Sequence, residues 1–248
     1  MAKHGLSYQA IDADGLALVD EWAEAWSYYL IKASADLAAE QGAPSGNMET
    51  KYGHGITPNQ TYKKKLDDLV PHVERMDWDG LRAQLRETGI RNSTLMALMP
   101  SETSAQIANA TNGVEPPRAY ISVKQSKHGV LKQVVPEFKR LKNKYDLLWD
   151  QRSPEGYLKI MAVLQKYIDQ GISVNTSYNP QFFEDEKIPM SVMLQHMVMF
   201  YSLGGKQLYY FQKYDGQGEL DVNKMIEKQP LVLEQTVVDD AACESCTI

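Results

Sequence analysis

Three stretches of this chain have the short apolar or alternating character of strands: "IRNSTLMALMP" (90–100), "ISVNTSYN" (172–179) and "KQLYYFQ" (206–212). Helical patterns separate them. A strand–helix–strand order requires a crossover connection, so the class is α/β with a mostly parallel sheet. Three such strands are few for 248 residues, and no internal repeat supplies more. The chain reads as part of a larger sheet or barrel.

The helices between them carry their own start and stop signals. Residues 12–41 form a long helical pattern in which Leu18, Trp22, Trp26 and Leu30 recur every fourth residue, with Gly42 placed to end it. "GAPSGN" then gives a loop. Asp77 is an N-cap for a shorter helix to Thr88, closed by Gly89. "AYISVKQSKHGVLKQVVP" has two alternating stretches around Lys127-His128-Gly129 and predicts a β-hairpin. Ser153-Pro154 opens a helix with a stripe of Tyr157, Met161, Leu164 and Ile168, ending at Gly171. "IPMSVMLQHMVMFYSLGG" is an apolar helix closed by a glycine pair. From Asp215 the pattern dissolves into Gly, Gln, acids and isolated apolar residues. The expected organisation is a body over 1–214 and a flexible C-terminal tail over 215–248.

A formal charge of -6 implies no basic face, which argues against a nucleic-acid partner. No apolar run is long enough to span a membrane, and the start "MAKHGLSYQA" lacks a signal-peptide core. The two cysteines, Cys243 and Cys246, sit together in the last six residues, too close in sequence to staple a fold. A reducing, cytoplasmic setting is the expectation, and there a C-x-x-C pair reads as catalytic or metal-binding. A zinc site would need two further ligands, and the five histidines show no pairing near the tail. No metal site is expected.

The stretch after the first strand can hold an anion. Pro100 ends the strand, Thr103 can cap a short helix, Gln106 completes a Thr-x-x-Gln capping box, and Gly113 lies where that helix should stop. Free backbone N–H groups at a helix start, together with the hydroxyls of Ser101, Thr103 and Ser104, suit a phosphate. On spacing alone a helix that is simply well capped is the better reading, since most Ser/Thr-rich helix starts bind only their own backbone.

The wording of this region carries more. "RNSTLMALMPSETSAQIANATNGVEPPR", continued in "YLKIMAVLQKYIDQGISVNTSYNP" and "LYY", resembles the large, catalytic subunit of class I ribonucleotide reductase. The likeness covers nearly the whole chain but only the C-terminal portion of that subunit. It implies a ten-stranded α/β barrel, of which this chain supplies the last strands and their helices. It assigns Pro100, Ser101, Glu102, Thr103 and Ser104 to the diphosphate of a ribonucleoside diphosphate substrate. Tyr209 and Tyr210 match a pair that relays a radical from the small subunit, although plain strand residues would alternate faces. For those two rings to meet, the strand must depart from regular geometry at this pair. Cys243 and Cys246 match a tail dithiol that reduces an active-site disulfide and is itself reduced by thioredoxin or glutaredoxin. A mobile arm suits that exchange, since the attacking thiolate must reach its target sulfur. The C-x-x-C spacing is shorter than the family's bacterial members lead one to expect, which implies a redox poise different from theirs. Met190, Met193 and Met197, with Met199, match a helix that helps receive the small subunit's C-terminal peptide. His196 reads as a packed or solvated residue.

The radical cysteine, the active-site cysteine pair and the allosteric domain that the family requires lie upstream of the matched portion, and both cysteines here are already assigned to the tail. The resemblance therefore implies one half of a split large subunit, or a truncation, that needs a complementary N-terminal chain. No cofactor is expected on this chain; the metal-radical cofactor belongs to the partner small subunit. The alternative is an inert interaction fragment that binds the small subunit's C-terminal peptide.

Overall fold

The computed structural model describes residues 1–101, 103–126 and 129–216. In chain order the elements are α1 (Ala13–Gln41), α2 (Trp78–Thr88), α3 (Thr103–Ile107), the strands β1 (Ile121–Ser126) and β2 (Gly129–Val134), α4 (Phe138–Leu141), α5 (Glu155–Gln165), β3 (Val174–Tyr178), α6 (Met190–Leu203) and β4 (Leu208–Lys213). Short 3₁₀ turns fill the segment between α1 and α2.

The predicted Asp77 cap holds and Asp12 caps α1, but α5 stops at Gln165, short of the expected Gly171. The Asp12 and Asp77 carboxylates accept from Gly15 N and Gly80 N at 2.8 and 2.9 Å, each satisfying one orphan amide of a helix start. Gly204 ends α6 in the left-handed region at φ 107°, where a side chain would be strained.

β3 and β4 pair in parallel, and β1 and β2 form the antiparallel hairpin. The hairpin's turn residues Lys127 and His128 lie outside the described residues. The expected first strand, 90–100, forms only in part: Leu98 bridges Ile172 in parallel, with Gln170 N donating to Met96 O, Leu98 N to Gly171 O and Ser173 N to Leu98 O. The reason it is no longer lies in Asp169. This carboxylate takes the amides of Leu95 and Met96 at 2.8 and 3.0 Å, and the Tyr52 hydroxyl at 2.9 Å. The side chain thus stands where a strand neighbour would otherwise bond. The parallel order across the fragment is 95–98, then 170–178, then β4. This is a partial barrel wall; no closed barrel forms among the described residues.

The core lies between this wall and α1, α2 and α5, and includes Ile31, Leu85, Trp78, Met161, Ile168 and Val174. α5 is apolar nearly all round and is buried accordingly. α1 departs from the expectation its sequence creates. Trp22 and Trp26 of its apolar stripe are exposed, while its buried face carries Ala23, Ala35, Ala38, Ser27, Ser34, Asp20 and Glu24. Small residues let α1 approach α5 closely, and the acids are paired within the contact. Lys166 Nζ donates to Asp20 Oδ1 at 2.9 Å, and Arg75 Nη1 donates to Asp20 and Glu24 at 3.0 and 2.8 Å. Burial acts against the Glu24 charge, but bonds from Arg75, the Trp78 indole and the Met76 amide outweigh it and hold the carboxyl below its usual range.

Candidate functional site

The site is organised by one irregularity. Val174 pairs with Leu208, yet Thr176 pairs with Phe211, so Asn175 alone on β3 faces both Tyr209 and Tyr210 on β4. That is a β-bulge, uncommon in a parallel pair. It is the departure from strand geometry that contact between neighbouring rings requires: the Tyr209 and Tyr210 rings lie 4.1 Å apart, centroid to centroid, at 50°. The Tyr210 hydroxyl donates to the Tyr209 hydroxyl over 3.3 Å. This bond, and then the charge an ionised Tyr209 would present, hold the Tyr210 phenol above its usual ionisation range. Both rings are about half exposed, so the pair is open on one side.

Residues the sequence reading passed over support the bulge. Asn175 Oδ1 accepts from Tyr210 N at 2.9 Å, and Asn175 Nδ2 donates to Glu115 Oε1 at 2.5 Å. Burial raises the Glu115 carboxyl, with Asn175 and Arg118 pulling the other way. Gln212 Oε1 accepts from Arg118 Nη2 at 3.2 Å and from Ser177 Oγ at 3.3 Å. One signal for Asn175 was present: an asparagine inside an apolar strand is out of place unless its amide is used.

The candidate phosphate loop leaves the sheet at the carboxyl end of the 95–98 segment, the end at which parallel α/β sheets place ligands. Leu98 is level with Ile172, and Ser101 follows three residues later in the chain. The capping prediction needs correction. Thr103 is the first residue of α3 rather than its cap, and Ser101 Oγ and Ser104 Oγ are hydrogen-bonded at 2.6 Å. α3 ends at Ile107, followed by Asn109 in the left-handed region at φ 48°, so Gly113 is not its stop. Pro100, Ser101, Thr103 and Ser104 are exposed or half-exposed; Glu102 lies outside the described residues.

On α6, Met190 and Met197 are exposed, but Met193 is half-buried and Met199 packs against the core. The exposed face is completed by Leu194, Val198 and Tyr201, which helical spacing places together with Met190 and Met197. A groove of about 700 Å³ runs beside it, lined by Leu69, Lys159, Leu194, Val198 and Met199 among others. His196 is packed: its ring nitrogens are hydrogen-bonded to the Tyr178 hydroxyl at 2.9 Å and Ser153 Oγ at 3.2 Å. Burial pushes the Tyr178 phenol up to about 12 and lowers His196, with Glu155 opposing.

That last shift makes a prediction. A histidine whose folded pKa lies below its unfolded value near 6.5 takes up its proton more readily in the unfolded chain. Its contribution is intact above pH 6.5, falls as the pH drops through that value, and levels off below the folded pKa. The urea midpoint is expected to fall between pH 7.5 and 5.5, and His196→Gln to flatten that slope. His72, also lowered by burial, acts with the same sign and keeps part of it.

Among the described residues no group of three or more His, Cys, Asp or Glu side chains is placed to hold a metal ion, and no helix is long and apolar enough to cross a membrane. Cys243 and Cys246 lie outside the described residues, as does nearly all of the expected tail.

Comparison with known proteins gives this geometry its context. The family described as "Ribonucleotide reductase, barrel domain" matches residues 1–211. The chain is 51% identical over 216 residues to the ribonucleoside-diphosphate reductase subunit alpha of Haemophilus influenzae, covering 87% of this chain. It is 49% identical over 216 residues to the reductase 1 subunit alpha of Escherichia coli, again over 87% of this chain. Against the subunit alpha of Buchnera aphidicola from Schizaphis graminum it is 45% identical over 249 residues, covering all of this chain. It spans 28% of the length of the first two relatives and 32% of the third. The chain belongs to the ribonucleotide reductase family, as part of its barrel domain.

Proposed function

We propose that this chain supplies three working parts of a ribonucleoside-diphosphate reductase: the loop Pro100–Ser104 that holds the substrate diphosphate, the Tyr209–Tyr210 pair that relays the radical, and the Cys243–Cys246 dithiol that renews the active site. The radical cysteine and the active-site cysteine pair belong to a complementary N-terminal portion, and the initiating radical to a small subunit carrying a metal-radical cofactor. The observation that carries this reading is the phenol stack at a bulge, in a chain whose relatives are named as reductase alpha subunits. A regular strand would hold these rings apart, so the bulge is a feature the fold maintains at some cost in pairing.

Each part has its own chemistry. A phenol gives up an electron together with its proton, and stacked phenols pass both between them over a short distance. In the renewal step a tail thiolate attacks the active-site disulfide to give a mixed disulfide. The second tail thiol resolves it, leaving two thiols in the site and a disulfide in the tail. Thioredoxin or glutaredoxin then returns two electrons to the tail. The apolar face of α6 suits an amphipathic peptide, and the small subunit's C-terminal segment is its proposed occupant.

Changing the reductant separates these roles. Cys246→Ser is expected to abolish multiple turnover with thioredoxin but retain it with dithiothreitol, which reaches the site directly. Loss with both reductants, or with neither, contradicts the tail role. The double change Ser101→Ala and Ser104→Ala is expected to raise KM for the diphosphate substrate by about tenfold, from the loss of one or two hydrogen bonds to a charged group. An unchanged KM removes the hydroxyls from the site.

A further inference from the structure

The bulge at Tyr209 and Tyr210 leaves β4 with one residue more than β3 can pair through its backbone. A side chain completes the pairing. Asn175, 6% exposed, is the single residue opposite the two tyrosines, and its Oδ1 takes the Tyr210 amide at 2.9 Å. The orientation of that amide is dictated on both sides. A backbone N–H can only donate, so the oxygen must face it; the NH₂ then faces Glu115, whose Oε1 accepts from it. Flipping the amide would set donor against donor at Tyr210 and acceptor against acceptor at Glu115.

Glu115 is itself held in place. Its segment is tied at Val114, whose carbonyl accepts from the Tyr8 hydroxyl at 3.0 Å, and at Arg118, which donates to Gln212 on β4. We propose that Asn175 and Glu115 are positioning residues for the phenol pair: Glu115 fixes which way the Asn175 amide faces, and the amide oxygen holds the Tyr210 backbone in the bulge that stacks the two rings. The geometric claim stands by itself; its consequence for turnover rests on the radical-relay reading above.

The test is spectroscopic and uses the full chain with 3-fluorotyrosine at position 210. The ¹⁹F shift and ionisation pH of that ring report its neighbour, and Tyr209→Phe sets the values for a ring that has lost its partner's hydroxyl. Asn175→Ala and Glu115→Ala are expected to move the signal to the Tyr209→Phe position and to lower the ionisation pH with it. Asn175→Asp, which sets two carboxylates against each other, is expected to do the same. Glu115→Gln keeps a carbonyl oxygen for Asn175 and is expected to retain the parent values. A parent-like signal in the alanine variants, or Glu115→Gln behaving like Glu115→Ala, overturns the proposal. Should the Asn175 variants fail to fold, the two Glu115 variants decide alone. A displaced signal with undiminished reductase turnover leaves the positioning role standing and contradicts the relay instead.

Discussion

Asp20→Ala is expected to lower the unfolding free energy by about 3–5 kcal/mol, the usual cost of removing one partner of a buried ion pair. Asp20 is fully buried on α1 and accepts from Lys166 Nζ at 2.9 Å, Arg75 Nη1 at 3.0 Å and the Tyr167 hydroxyl at 3.1 Å. Lys166 is 2% exposed, with its ammonium also over the Tyr62 and Tyr167 rings at 5.1 and 5.0 Å. With the carboxylate gone, that ammonium remains inside the core against aromatic faces alone, which replace only part of its hydration. For a domain of this size the melting temperature is expected to fall by roughly 10 °C. The double change Asp20→Ala with Lys166→Met removes the stranded charge and is expected to recover most of the loss. Urea unfolding of the two variants measures both; a single-variant loss below about 1 kcal/mol would mean that water reaches this pair in solution.

The second large effect is at Tyr210. Tyr210→Phe keeps the ring and its packing but removes the proton this ring must release together with its electron. Reductase turnover is expected to fall to background, and to stay there when dithiothreitol replaces thioredoxin, since the lesion precedes any thiol chemistry. Tyr209→Phe is expected to match it, because each phenol is the other's neighbour at 4.1 Å. Folding is expected to be unaffected, as both rings are half exposed. Appreciable turnover by either variant would remove the pair from the radical path.

Much of this was legible in the sequence, and what was not has a physical cause. Asp77, Gly42, Gly89 and Gly204 marked helix ends because caps are local: the residue and the group it serves lie within about one turn. The bulge followed from a simple conflict, since two neighbouring tyrosines meant to meet cannot do so on a regular strand. What failed was anything settled by distant residues. The 90–100 stretch had the composition of a strand, but its first amides go to Asn47 and Ser34, and Asp169, more than seventy residues on, takes those of Leu95 and Met96. α1 showed a stripe of Leu18, Trp22, Trp26 and Leu30, yet the face it buries is set by Lys166 and Arg75, which reach the acids between the large residues. Met193 looked equivalent to Met190 and Met197, but the helix's neighbours half-bury it. Thr103 and Gln106 had capping-box spacing, while the chain begins its helix at Thr103 itself. The site divides in the same way: the tyrosines and the serine-rich loop were named from their own stretches, whereas Asn175 and Glu115 join segments sixty residues apart.

On the proposed function, this chain is the loop, relay and dithiol part of a reductase whose radical cysteine lies elsewhere. Ribonucleoside-diphosphate reduction, measured as deoxyribonucleoside diphosphate formed, tests it most directly. The assay contains this chain, a chain carrying the portion its relatives have ahead of the matched region, the small subunit, and thioredoxin with its reducing system. Turnover is expected in the complete mixture and in none from which one protein is omitted. No turnover in the complete mixture, with every chain folded and the small subunit's radical present, contradicts the account.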